Sequence, residues 1–252
     1  MDNEAGRGAQ TLMRGVDLLD IVAHNGPIPL KDLTDRLGLT RSTTHRLASA
    51  LIERNYLRQG PRGYELNYKL LELDALARRH LNLPSVARPH LEQLAREQTD
   101  PVNLAIRQGE LICYVDQVKG SRRIEVRSII GEHRPLAATG LGKALLLDDT
   151  PEDWQAAFMR NPDGPKGANA MADWLARMYG FRTQGATFDV EENADRVRCV
   201  AAPIRGASGA IVGALSLSSL PQYMDDARMA ALVDPVKAAA SAISFDLGWR
   251  PD

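Results

Sequence analysis

Residues 38–66 read GLTRSTTHRLASALIERNYLRQGPRGYEL. Thr40 is an N-cap residue type ahead of a run with helical periodicity, so the pattern predicts a helix from about Thr40 to Arg54. Thr44, Leu47, Ala48 and Leu51 share one face of that helix. Arg41, Ser42, His45, Arg46 and Ser49 largely share the other. Two short strands follow, Tyr56 to Gln59 and Tyr64 to Leu66, separated by a turn at Gly60, Pro61 and Gly63. Between Thr40 and Tyr64 stand five arginines (Arg41, Arg46, Arg54, Arg58 and Arg62) against one acid, Glu53. That is a local charge of +4 in a chain whose net charge is −1.

Working outward toward the N-terminus, Leu12, Val16, Leu19 and Val22 recur at helical spacing and predict a helix over Thr11 to Ala23. It stops at HNGPIP, and a second short helix carries Leu30, Leu33 and Leu37 before Gly38. Three short helices, a glycine turn between the last two and a basic hairpin describe a winged helix-turn-helix. In such a module the third helix enters the major groove, where Ser42, Thr43 and Arg46, then Arg41 and His45, reach base edges. Arg58 and Arg62 on the hairpin neutralise phosphates.

Toward the C-terminus, NYKLLELDALARRHL places Leu70, Leu73, Ala77 and Leu81 at helical spacing, which suits a linker helix or one more helix of the first domain. NLPSVARP breaks the pattern. The expected organisation is therefore a DNA-binding domain over 1–67, a linker helix over 68–82 and a second domain over 83–252. That second domain opens with a helix from Ser85 to about Gln98. Apolar, β-rich runs at Val102 to Arg107 and Leu111 to Val118 form a hairpin, and Ile124 to Ile130 reads as a third strand. Val197 to Ile204 and Ala210 to Leu217 form a second hairpin, and a long C-terminal helix carries Met229, Leu232, Val236, Ala240 and Ile243. Paired strands with interspersed helices predict an α+β domain on an antiparallel sheet.

One stretch, PLAATGLGKALLL from Pro135 to Leu147, imitates a phosphate-binding loop. It fails the strict pattern, because Ala137 stands where the first glycine is needed and Ala144 where a magnesium-binding hydroxyl is needed. A glycine-relieved helix start remains, suited to an anion.

Composition narrows the class. The chain has 252 residues, 44% apolar and 25% charged, which suits a soluble globular protein of one or two domains. Only Cys113 and Cys199 are cysteines, so a disulfide scaffold is not expected and a reducing, cytoplasmic setting is. No apolar run is long enough for a membrane span, and MDNEAGRGAQ lacks the apolar core of a signal peptide. The five histidines show no metal-ligand spacing, so neither a metal nor a cofactor is expected.

TRSTTHRLASALIERNYL, PLAATGLGKALL, TFDVEENADRVRCVAAPI and GAIVGALSLSS, in this order, resemble the IclR family of bacterial transcriptional regulators over nearly the whole chain. The resemblance implies a winged helix-turn-helix, a linker helix and a GAF-like C-terminal effector domain. It also implies a homodimer or homotetramer that binds palindromic double-stranded operators and responds to a small metabolite, often a carboxylic acid. By position it places the effector pocket at Gly140, Leu141, Gly142, Asp189, Val197, Cys199, Ser216 and Ser218, with Arg127 nearby. Hydroxyls and a helix N-terminus are donors suited to a carboxylate, and Arg127 offers a bidentate contact. The sequence departs from the family pattern at Ala137, Arg196, Ser219-Leu220-Pro221 and Met224, all around the presumed pocket. A sugar acid or keto acid is therefore the expected class of effector, without a specific identity.

Two other function classes stand beside this one. An enzyme, such as a hydrolase using Cys199, needs a base within reach of the thiol, and no histidine follows His133. A ligand-independent dimerisation module would leave DNA binding constitutive.

Overall fold

The computed structural model describes residues 2–80, 82–162, 164–165 and 167–251. It divides into two compact units, Met1–Leu81 and Asn82–Asp252.

In the first unit, α1 (Asp2–Asn25), α2 (Leu30–Leu37) and α3 (Arg41–Glu53) precede a hairpin of β1 (Leu57–Gly60) and β2 (Gly63–Leu66), and α4 (Lys69–His80) ends it. Gly38 closes α2 in a left-handed conformation, φ 61°, and Thr40 caps α3 two residues later. Leu18, Val22, Ile28, Leu33, Leu47, Ala48, Leu57 and Tyr64 form the core. The α1 helix starts earlier than its pattern predicts, and Leu12 and Val16 are exposed, with Leu18 buried in their place. A core this small reaches only the C-terminal turns of α1. Of the predicted α4 stripe, Leu70 is half-buried and Leu73 exposed, while the side chains at 77 and 81 lie outside the described residues.

The second unit begins with α5 (Leu83–Gln98), capped by Asn82, whose Oδ1 accepts from Ser85 N. The prolines that suggest a break lie inside this helix: Pro84 in its first turn, where no N–H is needed, and Pro89 further along. The sheet follows: β3 (Val102–Gln108), β4 (Leu111–Val118), β5 (His133–Pro135), β6 (Thr187–Val190), β7 (Arg198–Arg205) and β8 (Ile211–Ser219). Between β5 and β6 come α6 (Gly140–Leu145), α7 (Pro151–Met159) and α8 (Ala168–Gln184), and α9 (Asp226–Asp246) closes the chain. The strand order is β5-β4-β3-β8-β7-β6, all neighbours antiparallel.

The predicted strand at Ile124–Ile130 is absent. The segment is irregular, Ile124, Ile129 and Ile130 are exposed, and β5 takes the edge position beside β4. The strand at Thr187–Val190 is one that the sequence pattern does not predict. It is four residues long, too short to show a period.

Alternation on the strands sends residues to two cores. Val102, Leu104, Val200, Leu215 and Leu217 pack against α5 and α9. Ala105, Tyr114, Ala201 and Ala214 face α6, α7 and α8. The α6 helix is only six residues long and lies very close to its surroundings. A Cβ on Gly142 would stand 2.1 Å from the Leu136 carbonyl oxygen, and one on Gly140 would stand 2.5 Å from the Cys199 sulfur.

Gly142→Ala should therefore cost at least about 2 kcal/mol, because the clash is with backbone that cannot yield. Gly180, in the interior of α8 with nothing within 4 Å of the point a Cβ would take, gives the opposite expectation. Gly180→Ala should stabilise by roughly 0.5–1 kcal/mol. Urea unfolding of the two variants checks both signs.

Candidate functional sites: a basic helix face and a polar cavity

On α3 the buried side is Thr44, Leu47 and Ala48, and Arg41, Ser42, His45, Arg46 and Ser49 are exposed. Thr43 is half-buried and its hydroxyl is 2.9 Å from Thr40 Oγ1, while Ser42 Oγ is 3.2 Å from the same atom. The Thr40 cap thus ties both hydroxyls to the start of the helix. Ser49, one turn beyond His45 and Arg46, shares their exposed side, and helical spacing alone is enough to find it. The two hairpin arginines differ. Arg58 faces Glu65 in the β1–β2 register and donates to its Oε2 at 2.9 Å, whereas Arg62 stands exposed in the turn.

In the second unit a cavity of about 150 Å³ opens beside the α6 face of the sheet. Arg127, Leu141, Asp189, Val197, Cys199, Ser216 and Ser218 all line it. So do Tyr114, Ser128, Arg134 and Asn193, which sequence reasoning did not single out. Three strands build the wall. Asp189 on β6 is the register partner of Cys199 on β7, which is the partner of Ser218 on β8. Directly opposed residues project to the same face, so these three side chains form a row.

Gly140 and Gly142 do not line this cavity. The Gly142 N–H is taken by the Thr139 cap at 2.8 Å, and the Gly140 N–H faces the Cys199 sulfur. Both glycines serve close packing, and of the three residues expected at the floor Leu141 is the one that lines the cavity. Lys143, next in the chain, is fully buried and donates to Glu192 Oε1 at 2.6 Å and to the Phe188 carbonyl at 3.0 Å. Glu192 also accepts from Arg177. This ion-pair cluster pins the loop after β6, and Asn193, Ala194 and Val197 of that loop line the cavity. Arg127 sits on the irregular 121–130 segment, with its side chain largely exposed and 3.8 Å from Glu125.

Burial pushes the Cys199 thiol well above its usual range, and the Asp189 carboxylate beside it adds to the effect. That is the reverse of what a thiolate nucleophile needs. Burial also raises Tyr114 to about 12 and the Asp189 carboxyl to about 6. Lys143 and the N–H groups of Glu192 and Asn193 pull Asp189 back down, while the Glu192 carboxylate pushes it up. Among the described residues no three His, Cys, Asp or Glu side chains gather as metal ligands, and no helix is long and apolar enough to cross a membrane.

Comparison with known proteins gives this arrangement its relatives. The profile described as "Bacterial transcriptional regulator IclR C-terminal" matches residues 75–245, and the "IclR helix-turn-helix domain" matches residues 11–61. The chain belongs to the IclR family of transcriptional regulators. It is 31% identical over 264 residues to the DNA-binding transcriptional repressor YiaJ of Escherichia coli, covering 98% of this chain and 91% of that protein. It is 29% identical over 250 residues to the regulator XynR of Escherichia coli, covering 95% and 98%. In fold it is similar to the repressor BlcR of Agobacterium tumefaciens, with a TM-score of 0.78, 24% identity and coverage of 96% and 98%. HmgR of Pseudomonas aeruginosa gives a TM-score of 0.79 at 20% identity, covering 98% and 100%. As a member of the family the protein is a DNA-binding regulator with a C-terminal effector-binding domain.

The state of Asp189 has a measurable consequence. Its carboxyl holds a proton more tightly in the folded chain than at the ordinary value of 3.8. Ionising it costs folding nothing below about pH 4; the cost grows through about pH 6 and then levels off. Asp189→Asn should remove this part of the pH dependence and raise stability at pH 7.5 by about 2–3 kcal/mol. Urea midpoints from pH 4 to pH 8 test this; parallel curves for the variant and the parent would contradict it.

Proposed function

We propose that the protein is an operator-binding regulator whose DNA affinity is set by a small organic acid, such as a sugar acid or keto acid, held in the cavity of the second unit. The observation that carries this reading is the cavity wall formed by the polar side chains of Asp189, Cys199, Ser216 and Ser218, in a chain that also presents a basic helical face. The first unit acts as a winged helix-turn-helix, with α3 in the major groove and β1–β2 as the wing, and the second acts as a GAF-like sensor. Residues 68–82 serve as the linker between them. Arg46, Ser42 and His45 read base edges, with Arg41 and Thr43 at the helix start. Arg62 neutralises phosphate more fully than Arg58, which Glu65 already partners.

A palindromic operator requires two copies of α3, so the active form is a homodimer or homotetramer acting at the cytoplasmic chromosome. Exposed Leu12, Met13 and Val16 on α1 and Leu71, Leu73 and Leu76 on α4 support self-association of the first unit. The effector acts by binding more tightly to one of two arrangements of this assembly, and its differential affinity sets how far DNA binding moves.

Titration of a fluorescent duplex carrying the region upstream of the gene tests the DNA side. Arg46→Ala should weaken specific binding about 10- to 100-fold. Arg62→Ala should lower the slope of log affinity against log salt by about one, and Arg58→Ala by less. For the sensor, a panel of small acids screened by thermal shift should raise the melting temperature. Ser216→Ala and Arg127→Ala should reduce that rise, and an effector with no anionic group would count against the reading.

A further inference from the structure

Ser218 faces the cavity, and its Oγ accepts a hydrogen bond from Asn103 Nδ2 at 3.2 Å. Asn103, on β3, is itself buried. Its Oδ1 accepts from Gln117 Nε2 on β4 at 2.7 Å, and the same Gln117 nitrogen reaches the Val126 carbonyl at 3.5 Å. The last acceptor orients the chain of amides. A backbone carbonyl can only accept, so Gln117 turns its NH₂ toward it and toward Asn103. Asn103 must then offer its oxygen to Gln117 and its NH₂ to Ser218. A hydroxyl that accepts from Asn103 has its single proton left for a group in the cavity.

The opposite end of the row has the opposite character. Asp189 Oδ1 accepts from Glu192 N at 2.9 Å and from Asn193 N at 3.4 Å. An ionised carboxylate can only accept. Asp189 and Ser218 stand two strands apart, roughly 10 Å between Cα atoms at ordinary strand spacing. The cavity thus has a donor at one end and an acceptor at the other, separated by the length of a short carbon chain. Arg127 follows Val126, the residue whose carbonyl anchors the relay, so the segment that Gln117 holds also carries a positive charge toward the cavity.

We infer that Asn103 and Gln117 are positioning residues that fix Ser218 as a donor for an acid oxygen while Asp189 accepts from a hydroxyl, so that the effector is a hydroxylated carboxylate. This rests on the reading of the cavity as the effector site. It goes beyond that reading by giving the cavity a direction and by assigning its selectivity to two residues, neither of which lines it.

The test is calorimetry on the full chain with two matched sets of probes: ribonate, ribitol and pentanoate, and glycerate, glycerol and propionate. In at least one set the hydroxy acid should bind tenfold or more tightly than both the polyol and the plain acid. Gln117→Glu reverses the relay, because Asn103 must then donate to the introduced carboxylate and turn its oxygen to Ser218, which spends its proton on Asn103. Affinity for the hydroxy acid should fall about tenfold while that for the polyol stays within twofold. Gln117→Leu removes the anchor without adding charge and should shift the acid-to-polyol ratio in the same direction by a smaller factor. Melting curves establish that both variants fold. If acids bind but the plain acid matches the hydroxy acid, or both variants keep the parent's acid-to-polyol ratio, the relay is wrong and the effector site stands. If no probe of either set binds to the parent, the effector reading fails and takes the relay with it.

Discussion

The second unit is organised by how closely the short helix α6 lies against its neighbours. Six residues long, it depends on Gly142 meeting the Leu136 carbonyl and on Gly140 meeting the Cys199 sulfur, contacts that leave no room for a side chain. The Gly140 carbonyl accepts from Thr187 Oγ1 at 2.7 Å, which fixes the helix to the edge strand β6. With α6 seated, Lys143 is carried into the interior, where Glu192 and the Phe188 carbonyl receive its side-chain nitrogen. That ion pair in turn holds the loop bearing Asn193, Ala194 and Val197 at the mouth of the cavity. The wall and the rim of the site therefore share one packing constraint.

The two faces of the sheet divide the work. One is covered by α5 and α9 in a continuous apolar core. The other is apolar under α6, α7 and α8 but turns polar at the row Asp189, Cys199 and Ser218. Polar groups in such a place are tolerable when partnered, and Asn103 and Gln117 supply part of that partnership. Asp189 is the least comfortable of them. Its raised carboxyl records a cost of burial that the fold carries where a ligand would be received, as is common at functional sites.

Much of the architecture was legible because it is written in local periods. Helical spacing placed α2, α3 and α9, and alternation placed Ser216 with Ser218 on one face of β8. Turn residues marked both hairpins of the second unit. Other features had no local signature. Ile124–Ile130 has the composition of a strand, yet β4 already has β5 as its partner on that edge, and the isoleucines remain exposed. Leu12 and Val16 repeat at helical spacing with Val22, but the core they were expected to join ends before it reaches them.

By itself, then, the sequence determined the three helices and the hairpin of the first unit, both hairpins of the second, the basic outer face of α3 and the face that Ser216 and Ser218 share. Each of these follows from backbone periodicity within a few residues. Only the tertiary structure decided why glycines stand in the TGLGK turn, because that depends on Leu136 and Cys199 occupying the space where a Cβ would lie. It likewise decided that Lys143 is a buried partner of Glu192, 49 residues away, and that Arg58 is partly neutralised by Glu65. Charge and space are properties of the assembled neighbourhood, and no stretch of chain carries them alone.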